Sequence, residues 1–303
     1  MSSSAVVERF RESSDDDRAR HRSVERAGRH APVDRTPIVV GVDGSRESLN
    51  AADFAVREAR LRQRPMRILY AYGRRPRYVR YETAKVVENV VEHLTVPDGV
   101  AVETRVVDGD AAAALLHTAT SARLLVVGRH RSGTGAHLLT GTVSSVLSSW
   151  APCPVVIISE DWHPDRYGVG PVVVAVDAGP EDDDILGFAF RRAQLAGVPL
   201  VVLHPSRQAG SGIGRWRGFD PAALVDRWRR TYPDVNVTTQ YAHDGSAAAI
   251  TAAWTASLLV VGQPQSLAGP GSWLRSVGYA VVRHTIRPVA VVPRSPASLA
   301  RVA

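Results

Sequence analysis

The second half of this chain repeats the first. VVVAVDAGP at 172–180 answers IVVGVDGSR at 38–46, so Asp177 falls on Asp43, a shift of 177 − 43 = 134 residues. The same shift carries Gly128 onto Gly262, Thr142 onto Ser276, Trp150 onto His284, Pro154 onto Pro288 and the run 155–158 onto 289–292. Between these anchors, DGDAAAALLHTATSARLLVVG is echoed by DGSAAAITAAWTASLLVVG. Self-similarity at a fixed period means one folding unit used twice, so whatever the first copy forms the second must form as well.

The unit alternates strands and helices. Ile38 to Val42 is a short β-branched run closed by Asp43, Gly44 and Ser45. Leu49, Ala52, Val56 and Ala59 then mark one face of a helix that ends near Arg64 and Pro65. A second strand is expected over 67–72, a helix over 82–94, and a third strand through Val100, Val102, Thr104 and Val106. Gly109 and Asp110 turn the chain into an alanine-rich helix over 111–120. The stretch from Leu124 to Ile158 closes the unit. It holds an apolar run ending at Gly128, a glycine-rich loop, a short helix, two prolines around Cys153 and a last apolar run. Val143, Val146, Leu147 and Trp150 lie at i, i+3, i+4 and i+7 of that helix, with Thr142 placed to cap it. Such an alternation is the pattern of a parallel sheet with both faces covered. A helix N-terminus after a glycine loop presents unpaired N–H groups and a partial positive charge, which suits a phosphate.

Four segments follow. Residues 1–36 mix both charge signs with few large apolar residues and read as a disordered charged tail. The first unit spans 37–160, the second 171–294, and 295–303 is a C-terminal tail. The polar run SEDWHPDRYGVG separates the units.

Composition then removes several function classes. With 303 residues, 45% hydrophobic and 22% charged, the chain can bury two ordinary cores. Apolar runs fall far short of the roughly 20 residues that span a bilayer, and the N-terminus has no apolar leader, so a cytoplasmic protein without membrane attachment is expected. The single cysteine, Cys153, rules out a disulfide framework and reads as a small buried hydrophobe. The net charge of +7 invites nucleic acid, but Lys85 is the one lysine among 37 basic residues, an arginine skew that fits a GC-rich genome better than a specific nucleic-acid partner. The run Arg74, Arg75, Arg77, Tyr78, Arg80 and Tyr81 has the chemistry to grip single-stranded nucleic acid, yet reads more simply as a solvated loop. The ten histidines show no metal-ligand spacing, and no P-loop or nucleophile elbow is present. Ser144, Ser145, Ser148 and Ser149 read as the exposed side of their helix. No enzyme is expected.

Both halves resemble the universal stress protein domain, and the chain resembles the tandem form of that family. The likeness rests on the VGVDGS strand end, the LLVVG strand, the PCPVVII ending and the spacing G-x₂-G-x₉-G-[ST] from residue 128. It implies two doubly wound α/β domains, each a five-stranded parallel sheet with flanking helices, packed as a pseudo-dimer within the chain, with a homodimer as a further assembly. The runs 155–158 and 289–292 would pair the halves edge to edge. It implies a stress-response binding protein with ATP, and Mg with it, in the first half alone, and with protein partners the sequence does not identify.

Carried over position by position, Asp43 faces the ribose or adenine and Ala71 meets adenine through its backbone. Gly128 opens the phosphate signature, and Gly141, Thr142 and Val143 end it. Position 131 departs from the pattern: Arg131 stands where the family has glycine, and its side chain either obstructs phosphates or reaches them as a guanidinium. The second half keeps Gly262 but has Gln265 and Arg275 at the other signature glycines and Pro205 at the position of Ala71, so it is expected not to bind ATP, with Arg275 filling its corner. Asp43 and Asp177 also have a plain reading as turn-forming residues. Two other functions stand beside ATP-dependent regulation: a scaffold of the same fold that binds no nucleotide, and a weak ATPase.

Overall fold

The computed structural model describes residues 35–73, 79–129, 143–163, 165, 169–176, 182–205, 221–242, 254–263 and 285–294. The tail expected over 1–36 lies outside them, apart from its last two residues. In the first half the chain runs β1 (Ile38–Val42), α1 (Arg46–Arg62), β2 (Met66–Tyr72), α2 (Val79–His93), β3 (Val102–Asp108), α3 (Ala111–Ala119), β4 (Leu124–Arg129), α4 (Val143–Trp150) and β5 (Val155–Ser159). The second half runs β6 (Val172–Ala175), α5 (Asp183–Ala196), β7 (Leu200–Pro205), α6 (Pro221–Thr231), β8 (Val237–Ala242), β9 (Leu258–Gly262) and β10 (Val289–Val292).

Local chemistry sets the element ends. Ser45 caps α1 by accepting from the Ser48 amide at 3.3 Å, Glu47 sits in the first turn, and Arg60 and Arg62 sit in the last, in keeping with the helix dipole. Asp110 caps α3 through the Ala113 amide at 2.9 Å. α2 begins at Val79, so the end of the Arg/Tyr run expected as loop is helical, while 74–78 lie outside the described residues.

The strands form one sheet in the order β3-β2-β1-β4-β5-β10-β9-β6-β7-β8. Each half contributes five parallel strands, and β5 meets β10 antiparallel, which joins the halves edge to edge as the resemblance implied. Central strands such as β1 and β4 are buried along almost their whole length, as both covered faces require. At one outer edge β3 carries Glu103 and Arg105, and Arg67 of β2 pairs with Glu103 at 2.9 Å; charges there discourage further strand addition. α1, α2, α5 and α6 cover one face with a core shared by both halves. α3 and α4 cover the other. The connection between halves is held by Trp162, buried edge-on against Phe54 of α1 at 5.6 Å.

Candidate functional site

Strand order reverses at β1, which pairs with β2 on one side and β4 on the other. In doubly wound sheets, ligands bind beyond the carboxyl ends of strands at such a point. Register brings the expected residues there: Gly41 lies level with both Leu69 and Val127, so Asp43, Ala71 and Gly128 line the carboxyl edge of three adjacent strands. Ala71 is half-buried on the α3/α4 side. Val143 opens α4 and packs, half-buried, on the same side. Arg131, Gly141 and Thr142 lie outside the described residues.

Asp43 is exposed and accepts the Ser45 amide at 2.9 Å, an Asx turn that leads into α1. Partial desolvation opposes its ionisation, but hydrogen bonds from Ser45 and Ser48 outweigh that and hold the carboxyl below its ordinary range. Gly44 adopts φ +85°, and a β-carbon there would come 3.3 Å from Val86. At Gly128 a β-carbon would meet the Glu47 backbone at 2.7 Å. The first turn of α1 therefore rests directly on the end of β4.

The rear corner is built differently. At Gly262 a β-carbon would meet side chains, Ile185 Cδ1 at 2.6 Å and Arg294 Nη2 at 2.9 Å. The Arg294 side chain is buried, with Nη2 3.9 Å from Oδ1 of buried Asp182. Arg275, expected to fill this corner, lies outside the described residues, as do Asp177 and Gln265. Arg294 lies outside the glycine signature, so the signature does not point to it. The repeat itself carries the signal: Arg294 and Asp182 fall on Glu160 and Ser48, so an ion pair in one copy replaces unlike residues in the other.

Helix α4 corrects two expectations. Trp150 is 68% exposed, while Ser144 and Ser148 are buried. The buried face is thus Ser144, Leu147, Ser148 and Ala151, and the small side chains of Ser144, Ser148 and Ala151 let the helix lie close. The Ser148 hydroxyl returns to the Ser144 carbonyl at 2.7 Å, so burial leaves it bonded. Cys153 is buried as expected, and burial pushes its thiol up to about 12. Among the described residues no group of three or more His, Cys, Asp or Glu side chains is placed to hold a metal ion. No described helix is long and apolar enough to cross a membrane.

Comparison with known proteins gives the same architecture. The universal stress protein family matches twice, over residues 35–159 and 168–293. The universal stress protein Rv1996 of Mycobacterium tuberculosis is 31% identical over 310 residues, covering 86% of this chain and 96% of its own. A solved universal stress protein from Archaeoglobus fulgidus superposes with a TM-score of 0.69 at 15% identity, covering 86% of this chain and 97% of that one. Another solved universal stress protein, in complex with cAMP, is 28% identical and covers 42% of this chain and 98% of its own, with a TM-score of 0.36.

Proposed function

This chain belongs to the universal stress protein family, and from that premise we propose that it is a stress-response binding protein whose first half holds ATP while its second half closes the equivalent corner. The observation that carries this reading is the contrast between the two corners. In front, Gly128 abuts helix backbone and an exposed carboxylate stands beside it, ionised at neutral pH and fit to accept from ribose hydroxyls or the adenine amine. Behind, Gly262 lies under a buried guanidinium that faces Asp182. The spacing of Gly128, Gly141 and Thr142 supports a phosphate position at the start of α4. In this reading Arg131 donates to the phosphates, which also hold Mg, and occupancy tunes contacts with protein partners. The role is binding without turnover.

Equilibrium titration with Mg-ATP should give one saturable site per chain, and Gly141→Arg should abolish it while leaving the melting temperature in place. ATP hydrolysis should match a protein-free control. The scaffold reading is favoured by a specific fact, that Asp43 already serves its own turn. Absence of saturable binding at millimolar nucleotide would establish the scaffold instead.

A further inference from the structure

The halves meet about a two-fold relation that residue numbers make visible. Ala290 is the repeat-equivalent of Val156 (290 − 156 = 134), and the two pair across β5 and β10. Val289, equivalent to Val155, pairs with Ile157, while Val291, equivalent to Ile157, pairs with Val155. Hydrogen bonds on the α3/α4 face follow the same relation. Arg129 donates to the Thr285 carbonyl at 2.8 Å, and Gln263, its equivalent, donates to the carbonyl of Ala151, the equivalent of Thr285, at 3.3 Å.

A residue lying on such an axis meets its own equivalent. On the α1/α5 face that residue is Glu58, and its equivalent is Arg192 (192 − 58 = 134). Arg192 Nε donates to Glu58 Oε1 at 2.7 Å, and Arg62, one turn along α1, donates from Nε to Glu58 Oε2 at 2.8 Å. The side chains of Glu58, Arg62 and Arg192 are 2%, 7% and 12% exposed. The Arg62 guanidinium also lies 5.4 Å from the ring centroid of Phe188 in the other half. The equivalent of Arg62 is Ala196.

Two like halves meeting on this surface would set like charges together. A second half paired with another second half places Arg192 against Arg192, with Ala196 at both flanking positions and no carboxylate from either axis residue. A first half paired with another sets two Glu58 carboxylates face to face, each left with its own Arg62 and stripped of the donor from Arg192. Juxtaposed like charges with no room for water are how interfaces reject wrong partners. We propose that the Glu58–Arg192 pair is an address on the inter-half surface, one that admits a first half with a second half and rejects either half paired with its like. The partner of the second half must then present a carboxylate on the axis, a requirement that this chain's own first half meets.

The test starts from the folded whole chain, with both halves present. A protease site is inserted after Asp165, whose side chain is 96% exposed, and the folded chain is cut there. Cut samples with and without ¹⁵N label are mixed until the halves have exchanged, then weighed by native mass spectrometry. Wild type should give first-with-second pairs in every label combination, with like-with-like pairs at least about tenfold below their statistical share. Glu58→Gln with Arg192→Gln should raise like pairs at least about tenfold. Glu58→Arg with Arg192→Glu keeps two guanidiniums and one carboxylate at the axis and should restore selectivity, so the question stays decidable if the neutral variant does not fold. Like pairs at their statistical share in wild type would overturn the proposal. So would undiminished selectivity in the neutral variant, or lost selectivity in the exchanged one.

Discussion

Single residues in this protein answer first to packing. Gly128 belongs to the phosphate signature, yet the Glu47 backbone 2.7 Å from its missing β-carbon demands glycine there whether or not a ligand binds. Gly128→Ala should therefore cost about 1–3 kcal/mol, as overpacking against unyielding backbone does. Gly73→Ala, with nothing within 4 Å, should change stability by less than about 0.5 kcal/mol. Urea midpoints of the two variants decide this, and equal midpoints would refute it. Cys153 is equally ruled by its surroundings. Burial pushes its thiol up to about 12, and hydrogen bonds from its own and the Leu125 amides only partly offset this. A disulfide dye at pH 8 should label native protein on the order of a hundred-fold more slowly than unfolded protein. The sequence marks Gly128 only as a signature glycine; its packing against Glu47 is not written there, because that contact exists only after α1 has docked.

At the scale of elements, legibility followed burial. β1 and the first five residues of β4 carry no charged side chain because both sheet faces are covered, so their runs stand out from the sequence. Helix α4 was placed correctly but turned to the wrong face. A hydrophobic period assumes that large apolar residues point inward, whereas this helix buries Ser144 and Ser148 and leaves Trp150 in solvent. Small residues on that face set how closely the helix approaches the sheet, and a hydroxyl bonded to its own helix adds no unpaired group. Ser148→Ala should accordingly shift stability by less than about 1 kcal/mol, while Ser148→Leu should cost about 1–3 kcal/mol by forcing helix and sheet apart. Chemical unfolding of both variants tests this, and a well-tolerated leucine would show that the face is not tightly packed. The start of α2 at Val79 was hidden for a related reason: Arg80 and Tyr81 give no apolar period to read.

For the whole molecule, the repeat told that there would be two like units, and the resemblance told which edges would join. Neither revealed the pair that crosses the axis. Comparing copies rewards identity, and Glu58 over Arg192 registers only as a mismatch until the fold brings the two positions into contact. That contact has a consequence for acid stability. Burial alone would raise the Glu58 carboxyl, but Arg192 and then Arg62 outweigh it and hold the group below its ordinary 4.5. A carboxyl whose folded value is depressed contributes its full stability above the unfolded value and loses it as pH falls through the folded one. The urea midpoint of wild type should hold steady from neutral pH down to about 4.5 as far as this group is concerned, then fall. Glu58→Gln leaves two buried guanidiniums without their carboxylate, so at pH 7 it should be less stable by about 3–5 kcal/mol. Below pH 4.5 its profile should be the flatter of the two, since the group that titrates in wild type is gone. Parallel profiles across that range would mean that Glu58 gains nothing from ionisation in the fold, and the axis pair would then be a neighbourly contact without energetic weight.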